Sequence, residues 1–122
     1  MKSALRQLLA IFVVLIAVSG RAHAHAFLDH ADPAVGGKVA HTAGQVRIWF
    51  SENLEAAFSS IKVLDSAKHE VQQGKAQLDK ANRALLAVTI PALPAGTYKV
   101  VWRAVSTDTH ITNGDFTFTV AP

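Results

Sequence analysis

The sequence contains no cysteine and only one methionine, Met1. The absence of cysteine excludes disulfide bonds, thiolate metal sites and thiol catalysis, so the fold must be stabilised by its hydrophobic core. A chain this poor in sulfur also offers almost no ligand to soft metals such as Cu(I), which prefer thioether or thiolate. The sequence has no internal repeat and no low-complexity tract. These absences favour one small domain that depends on side-chain packing.

The first 24 residues have the pattern of a secretory signal peptide. Positive charge comes first, an apolar run of eleven residues follows at 8–18, and an A-x-A cleavage site ends the segment at 22–24. The apolar run is too short to cross the roughly 30 Å hydrocarbon core of a bilayer as a helix. We expect cleavage after position 24, with residues 25–122 as the secreted domain and His25 as its first residue. Cleavage two residues earlier, leaving His23 first, is the alternative.

Processing would also change the charge of the protein. Lys2, Arg6 and Arg21 would leave with the signal peptide, so nine basic and nine acidic residues would remain. The isoelectric point of about 9.5 for the full chain therefore comes mostly from the segment that is removed. A formally neutral domain with scattered charges lacks the basic patch of a nucleic-acid-binding protein, and no nucleic-acid partner is expected.

Apolar and polar residues alternate along most of residues 25–122. Alternation rich in β-branched and aromatic residues predicts strands, with turns at sequences such as Gly36-Gly37 and Asn113-Gly114. Six to eight short strands in a chain of this length predict an all-β sandwich. The residues predicted to face its core are Val46, Ile48, Phe50, Leu86, Val88, Ile90, Tyr98, Val100, Trp102, Ala104, Phe116, Phe118 and Val120.

Three local features refine this prediction. Residues 59–73 are expected to form a hairpin that turns near residues 66–68. The sequence "LPAGTY" has the spacing of a tyrosine corner, in which the hydroxyl of Tyr98 bonds to backbone a few residues upstream. Trp49 alternates away from the core-facing residues, so we expect it on the outer face or at the end of the sandwich.

A metal site is predicted from the two ends of residues 25–122. An N-terminal histidine can grip one ion with both its ring Nδ1 and its α-amine, whose pKa of about 7.7–8.0 makes deprotonation easy near neutral pH. Asp108 and His110 are spaced i, i+2, which in extended chain puts their side chains on one face. Together with His25 they supply three nitrogens and one oxygen, a set that favours Cu(II), with zinc possible and nickel a weaker choice. The alternative is that Asp108 caps a turn and His110 is a surface residue.

Three long segments resemble the CopC family of bacterial periplasmic copper-binding proteins. They are "HAFLDHADPAVGGKV", "IWFSENLEAAFSSIKV" and "LPAGTYKVVWRAVSTDTHITNGDFTFTV". Family members typically begin with His and reach a Pro eight residues later, and His25 and Pro33 have this spacing, which supports cleavage after Ala24. The resemblance implies an Ig-like or cupredoxin-like Greek-key β-sandwich of about seven or eight strands. It also implies a periplasmic location.

The resemblance further implies one Cu(II) per chain, held by the N-terminal histidine and the D-x-H motif. On this sequence these ligands are His25, Asp108 and His110. Glu52 matches a family glutamate that could accept a hydrogen bond from a ligand imidazole; otherwise it is a solvated charge at a strand end. Some family members also have a methionine-rich Cu(I) site. No such site is expected here, because Met1 would be lost with the signal peptide.

The other histidines are expected to lie outside this site. His30 is an odd number of residues from His25 and would point to the opposite face of a strand, while His41 and His69 are expected at the surface.

The expected function is sequestration, resistance or delivery of copper by a protein that is not an enzyme, with an inner-membrane transport protein of the CopD type as a plausible partner. Two alternatives stay open. One is an oxidative copper enzyme similar to polysaccharide monooxygenases, and the other is a secreted Ig-like interaction module without metal.

Overall fold

The computed structural model describes residues 26–122. The predicted signal peptide at 1–24 and the predicted ligand His25 lie outside the described residues. The described chain forms eight strands and one short 3-10 helix, Ala56–Phe58. The strands are β1 (Leu28–Asp32), β2 (Lys38–Val39), β3 (Gln45–Phe50), β4 (Ser60–Leu64), β5 (Gln73–Leu78), β6 (Leu85–Thr89), β7 (Gly96–Val105) and β8 (Ile111–Val120).

The eight strands form two four-stranded sheets. The first sheet has the order β1-β3-β6-β5 and the second has the order β2-β8-β7-β4. All neighbours pair antiparallel except β2 and β8, which pair parallel. The prediction of an all-β sandwich is confirmed. No helix within residues 26–122 has the length and apolar character needed to cross a membrane.

The core lies between the two sheets, where the alternating pattern placed it. All thirteen residues predicted to face inward are less than 9% exposed, from Val46 at 0% to Trp102 at 8%. Period-two alternation succeeds here because side chains of one strand point alternately to the two faces of its sheet. Since burial of apolar area contributes roughly 25 cal/mol per Å², these inward faces are the main stabilising element of a domain without disulfides.

The predicted hairpin at 59–73 is correct only at its turn. The backbone amide of Asp65 donates to the carbonyl of His69 at 3.0 Å, and one bridge joins Leu64 to Glu70. The chain then leaves the second sheet, and β5 pairs with β6 in the first sheet. Local alternation marks the strands and the turn but carries no information on which sheet receives the second strand.

The two predictions for aromatic residues outside the metal motif are confirmed. The hydroxyl of Tyr98 donates to the carbonyl of Pro94 at 2.7 Å, which is the expected tyrosine corner. Burial raises the pKa of this phenol. Trp49 lies on the outer face of the first sheet, where its ring stacks on that of His30 with centroids 4.4 Å apart.

Candidate metal centre

Asp108 and His110 lie in the short connection between β7 and β8. The connection closes as a turn, with the amide of Ser106 donating to the carbonyl of His110 at 3.0 Å and Thr109 at a φ of +70°. The two predicted ligands are therefore not in extended chain, and the reasoning that placed them on one strand face was wrong. They nevertheless meet, because the turn brings His110 Nδ1 to 3.2 Å from Asp108 Oδ2.

The distance between these atoms suits two donors on one ion. Metal–nitrogen and metal–oxygen bonds of about 2.0–2.2 Å allow two donors of one ion to be at most about 4.4 Å apart. Both side chains are also open to solvent, with 51% of His110 and 41% of Asp108 exposed. An imidazole nitrogen beside a carboxylate oxygen is a donor set that late first-row divalent ions accept.

Ser106 organises this pair, and sequence reasoning missed it. Ser106 is 1% exposed; its hydroxyl donates to Asp108 Oδ1 and accepts the backbone amide of His110 at 3.3 Å. The hydrogen bond from Ser106 is the main cause that holds the pKa of Asp108 below its ordinary value, with a further contribution from His110. A serine two residues before an aspartate in a turn is the available signal, because such hydroxyls commonly bond to nearby groups of the turn.

The start of the described chain lies beside this turn. Ala26 is fully buried, and its carbonyl accepts a hydrogen bond from the hydroxyl of Thr112, a residue 86 positions away that stands two places after His110 on the chain. Phe27 is held from the other sheet, since its amide donates to Ser51 Oγ and its carbonyl accepts the Ser51 amide, both at 2.9 Å. The residue that directly follows His25 is thus fixed next to the β8 end of the D-x-H turn.

Glu52 lies in the segment that runs alongside the same turn. The carbonyl of Asn53 accepts the amide of Thr107 at 3.1 Å, and Leu54 forms a bridge with Ser106. The side chain of Glu52 is exposed. Its hydrogen bond to a ligand imidazole stays a prediction.

The remaining histidines of the described chain have other surroundings. His30 is on the outer face of β1, with Nδ1 2.7 Å from Asp29 Oδ2 and its ring on Trp49. His69 is exposed in the turn after β4, with Nδ1 3.5 Å from Asp65, and His41 is exposed as well. Between residues 26 and 122, no three His, Cys, Asp or Glu side chains are grouped so that they could hold a metal.

Fold and site together define a two-sheet β-sandwich domain with a carboxylate–imidazole pair at one end. A family model described as the CopC domain matches residues 28–121. The chain belongs to the CopC family.

Individual proteins agree with this assignment. Copper resistance protein C of Pseudomonas syringae pv. tomato is 41% identical over 119 residues, which cover 89% of this chain and 94% of that protein. The crystal structure of CopC from Methylosinus trichosporium OB3b matches with a TM-score of 0.75 and 36% identity, covering 80% of this chain and 95% of that one. Copper transport protein CutJ of Bacillus subtilis (strain 168) is 29% identical over 111 residues, which are 90% of this chain but 20% of CutJ.

Proposed function

We propose that this protein binds one Cu(II) in the periplasm and serves copper sequestration, resistance or delivery. Its ligands are His25, exposed by removal of the signal peptide, together with Asp108 and His110. The observation that carries the proposal is the hydrogen bond from Thr112 to Ala26, which holds the neighbour of His25 beside the D-x-H turn. Consecutive Cα atoms are about 3.8 Å apart, so His25 starts within one residue of that contact.

Signal-peptide cleavage is the step that completes the site. Before cleavage the nitrogen of His25 is a peptide nitrogen, which is a poor metal ligand. After cleavage it is an α-amine, a group whose ordinary pKa is about 7.7–8.0, and it can form a chelate ring with the imidazole. Binding of Cu(II) then displaces the proton of the amine, which makes the affinity depend on pH.

The donor set favours Cu(II) over the other oxidation state of copper. Three nitrogens and a carboxylate oxygen match the tetragonal preference of Cu(II), which also heads the divalent affinity series. The only methionine is Met1, and it leaves with the signal peptide. The processed protein therefore has no thioether or thiolate for a Cu(I) site.

Binding, and not catalysis, is the activity proposed for this centre. Asp108 is a carboxylate whose pKa Ser106 and His110 lower further below its ordinary value of 3.8, and it faces solvent beside His110. A copper-bound carboxylate would occupy a position that oxygen chemistry requires to be open. Glycan cleavage by the copper-loaded protein in the presence of ascorbate would contradict this part of the proposal.

The test is a Cu(II) titration of secreted protein whose N-terminus has been sequenced. Wild type should bind one equivalent. Insertion of one alanine before His25, or the substitution His110→Ala, should weaken binding strongly and change the spectrum of bound Cu(II). His69→Ala is the matched control, since His69 is exposed in a turn outside the site. Equal affinity in all four proteins would exclude this centre, and tight stoichiometric binding of silver would reveal a soft site.

A membrane copper transporter of the CopD type is the proposed partner. Three of the four large apolar side chains that are exposed within residues 26–122 lie at the end of the sandwich that holds the D-x-H turn: Phe27 at 57%, Phe58 at 65% and Ile111 at 50%. Large apolar side chains exposed at one end of a domain favour an interaction surface there. In CutJ, a copper transport protein, the matching region is one fifth of a longer chain.

The partner is tested by copper transfer to vesicles that contain the CopD-type protein. Phe58→Ser should slow transfer without changing Cu(II) affinity. Val35→Ser is the control, because Val35 is 56% exposed but lies in the turn between β1 and β2 at the other end of the sandwich. Equal transfer rates for both variants and wild type would remove Phe58 from the interface.

A further inference from the structure

The backbone of residues 26–27 is held by side chains from both sheets. Thr112, on β8 of the second sheet, donates its hydroxyl to the carbonyl of Ala26. Ser51, directly after β3 of the first sheet, accepts the amide of Phe27 with Oγ and donates its own amide to the carbonyl of Phe27, both at 2.9 Å. We call Ser51 and Thr112 the hydroxyl clamp.

The clamp is distinct from the ordinary pairing of β1. The register of β1 with β3 begins at the pair Leu28–Phe50, so Ala26 lies beyond the strand ladder. Ala26 is fully buried and packs against the end of the core. A buried carbonyl outside a ladder requires another donor, and Thr112 supplies it.

One clamp residue, Thr112, lies close in the chain to the D-x-H motif. Thr112 stands two residues after His110, at the second position of β8, where it pairs with Ala104 of β7. Ser106, which orients Asp108, directly follows β7. The segment that presents the N-terminus and the turn that presents Asp108 and His110 are therefore both attached to the same pair of strands.

We propose that Thr112 and Ser51 are positioning residues for Cu(II). They fix the segment after His25 before metal arrives, so that the amine and ring of the processed terminus are already aligned with Asp108 and His110. This inference rests on the proposed function. A chain terminus without the clamp would have to be ordered by the metal itself, and that ordering entropy would be subtracted from the affinity.

The test removes one hydroxyl at a time from the processed protein. Thr112→Val keeps the shape of threonine and Ser51→Ala removes the second hydroxyl. Each should lower Cu(II) affinity about 10–100-fold, the range seen when residues that orient ligands are replaced. Each should also change the electron paramagnetic resonance spectrum of bound Cu(II), because misaligned nitrogens alter its equatorial field. Thr112→Ser, which keeps the hydroxyl, should restore both properties.

Thr97→Val is the matched control. The Thr97 hydroxyl lies 3.3 Å from that of Thr119 on an exposed position at the far end of β7 and β8, so its loss should leave affinity and spectrum unchanged. Amide hydrogen exchange of the metal-free protein gives an independent readout. Exchange at Phe27 should be faster in Thr112→Val and Ser51→Ala than in wild type or Thr97→Val.

The possible outcomes separate the clamp from the proposed function. Wild type that binds no Cu(II) would refute the function, and the metal role of the clamp with it. Wild type that binds Cu(II), with both variants equal to it in affinity and spectrum, would refute the clamp alone. If Thr112→Val does not fold, the other two variants test the clamp. Ser51→Ala should then lose Cu(II) affinity, and Thr112→Ser should retain it.

Discussion

Tyr98 and Ser106 stand at opposite ends of β7, and each uses a hydroxyl to hold a neighbouring loop. The Tyr98 hydroxyl donates to a backbone carbonyl, that of Pro94, at 2.7 Å. The Ser106 hydroxyl donates to an ionisable side chain, that of Asp108, and accepts the backbone amide of His110. The hydrogen bond of Tyr98 fastens a loop to the domain, and that of Ser106 orients a carboxylate that faces solvent.

Under the proposed function, this difference assigns stability to one end of the sandwich and metal binding to the other. At the Tyr98 end, the hydroxyl of Thr42 also donates to backbone, with Oγ1 3.2 Å from the carbonyl of Pro91. The loops at this end therefore satisfy each other's hydrogen-bonding groups. At the Ser106 end, hydroxyls hold the backbone at Ala26 and Phe27 and leave Asp108 and His110 exposed. A substitution at the Tyr98 end should therefore change the free energy of unfolding, and one at the Ser106 end should change the Cu(II) affinity.

The largest effect is expected from Asp108→Asn. This substitution keeps the shape of the side chain but removes its charge, and a residue proposed as a direct ligand should count for more than the roughly 10–100-fold that orienting residues contribute. We expect Cu(II) affinity to fall by about 100-fold or more, measured by titration against a competing chelator. The thermal midpoint without metal should fall slightly, because the depressed pKa of Asp108 means that its charge also stabilises the folded turn. If Asp108→Asn does not fold, the Ser106 end is also essential for stability, and the two ends do not have separate roles.

Gly114→Ala should have the next largest effect, on stability. An added Cβ at Gly114 would lie 2.4 Å from Cζ2 of Trp102, whose ring also packs edge-on against Phe50 at 5.2 Å. Overpacking of this kind costs about 1–3 kcal/mol, to be measured by urea unfolding. Asn113→Ala, on the outer face of the same strand, is the control. Because Phe50 precedes the clamp residue Ser51, a smaller loss of copper affinity should accompany the loss of stability.

Tyr98→Phe tests the end without the metal motif. Loss of the hydrogen bond to Pro94 should cost about 1 kcal/mol of unfolding free energy, or about 4–8 °C in thermal midpoint for a domain of this size. Cu(II) affinity should equal that of wild type. A clear loss of affinity would mean that the two ends are coupled through β7.

The smallest effect is expected from Asp65→Asn, and it should depend on pH. Backbone hydrogen bonds from His69 and Ala67, and the charge of His69, hold the pKa of Asp65 below its ordinary value of 3.8. A depressed folded pKa contributes stability that is present above pH 3.8 and is lost as the pH falls through the lower folded value. The thermal midpoint of wild type should exceed that of Asp65→Asn above pH 3.8 and approach it in stronger acid. A constant difference across this range would exclude the titration of Asp65 as the cause.

Sequence reasoning predicted the outward position of Trp49 correctly but did not predict the sheet to which β5 belongs. The outward position of Trp49 follows from period two, which is a property of one strand. The sheet that receives β5 depends on whether the chain after Glu70 crosses the sandwich, and that choice is made by packing between distant strands. The contact of Asp108 with His110 was expected, but its cause is a turn closed by Ser106 and not an extended strand.

The sequence by itself determined β3, β4, β6, β7 and most of β8 with their buried faces, the tyrosine corner and the D-x-H motif, because each depends on residues close together in the chain. It did not mark β1, β2 or β5, and Asn113-Gly114, expected as a turn, lies within β8. Only the tertiary structure decided that the segment after His25 meets the strand after His110, through a hydrogen bond between residues 86 positions apart. No local pattern encodes that contact. It exists because the two sheets pack with the start of β1 and the start of β8 at the same end of the core.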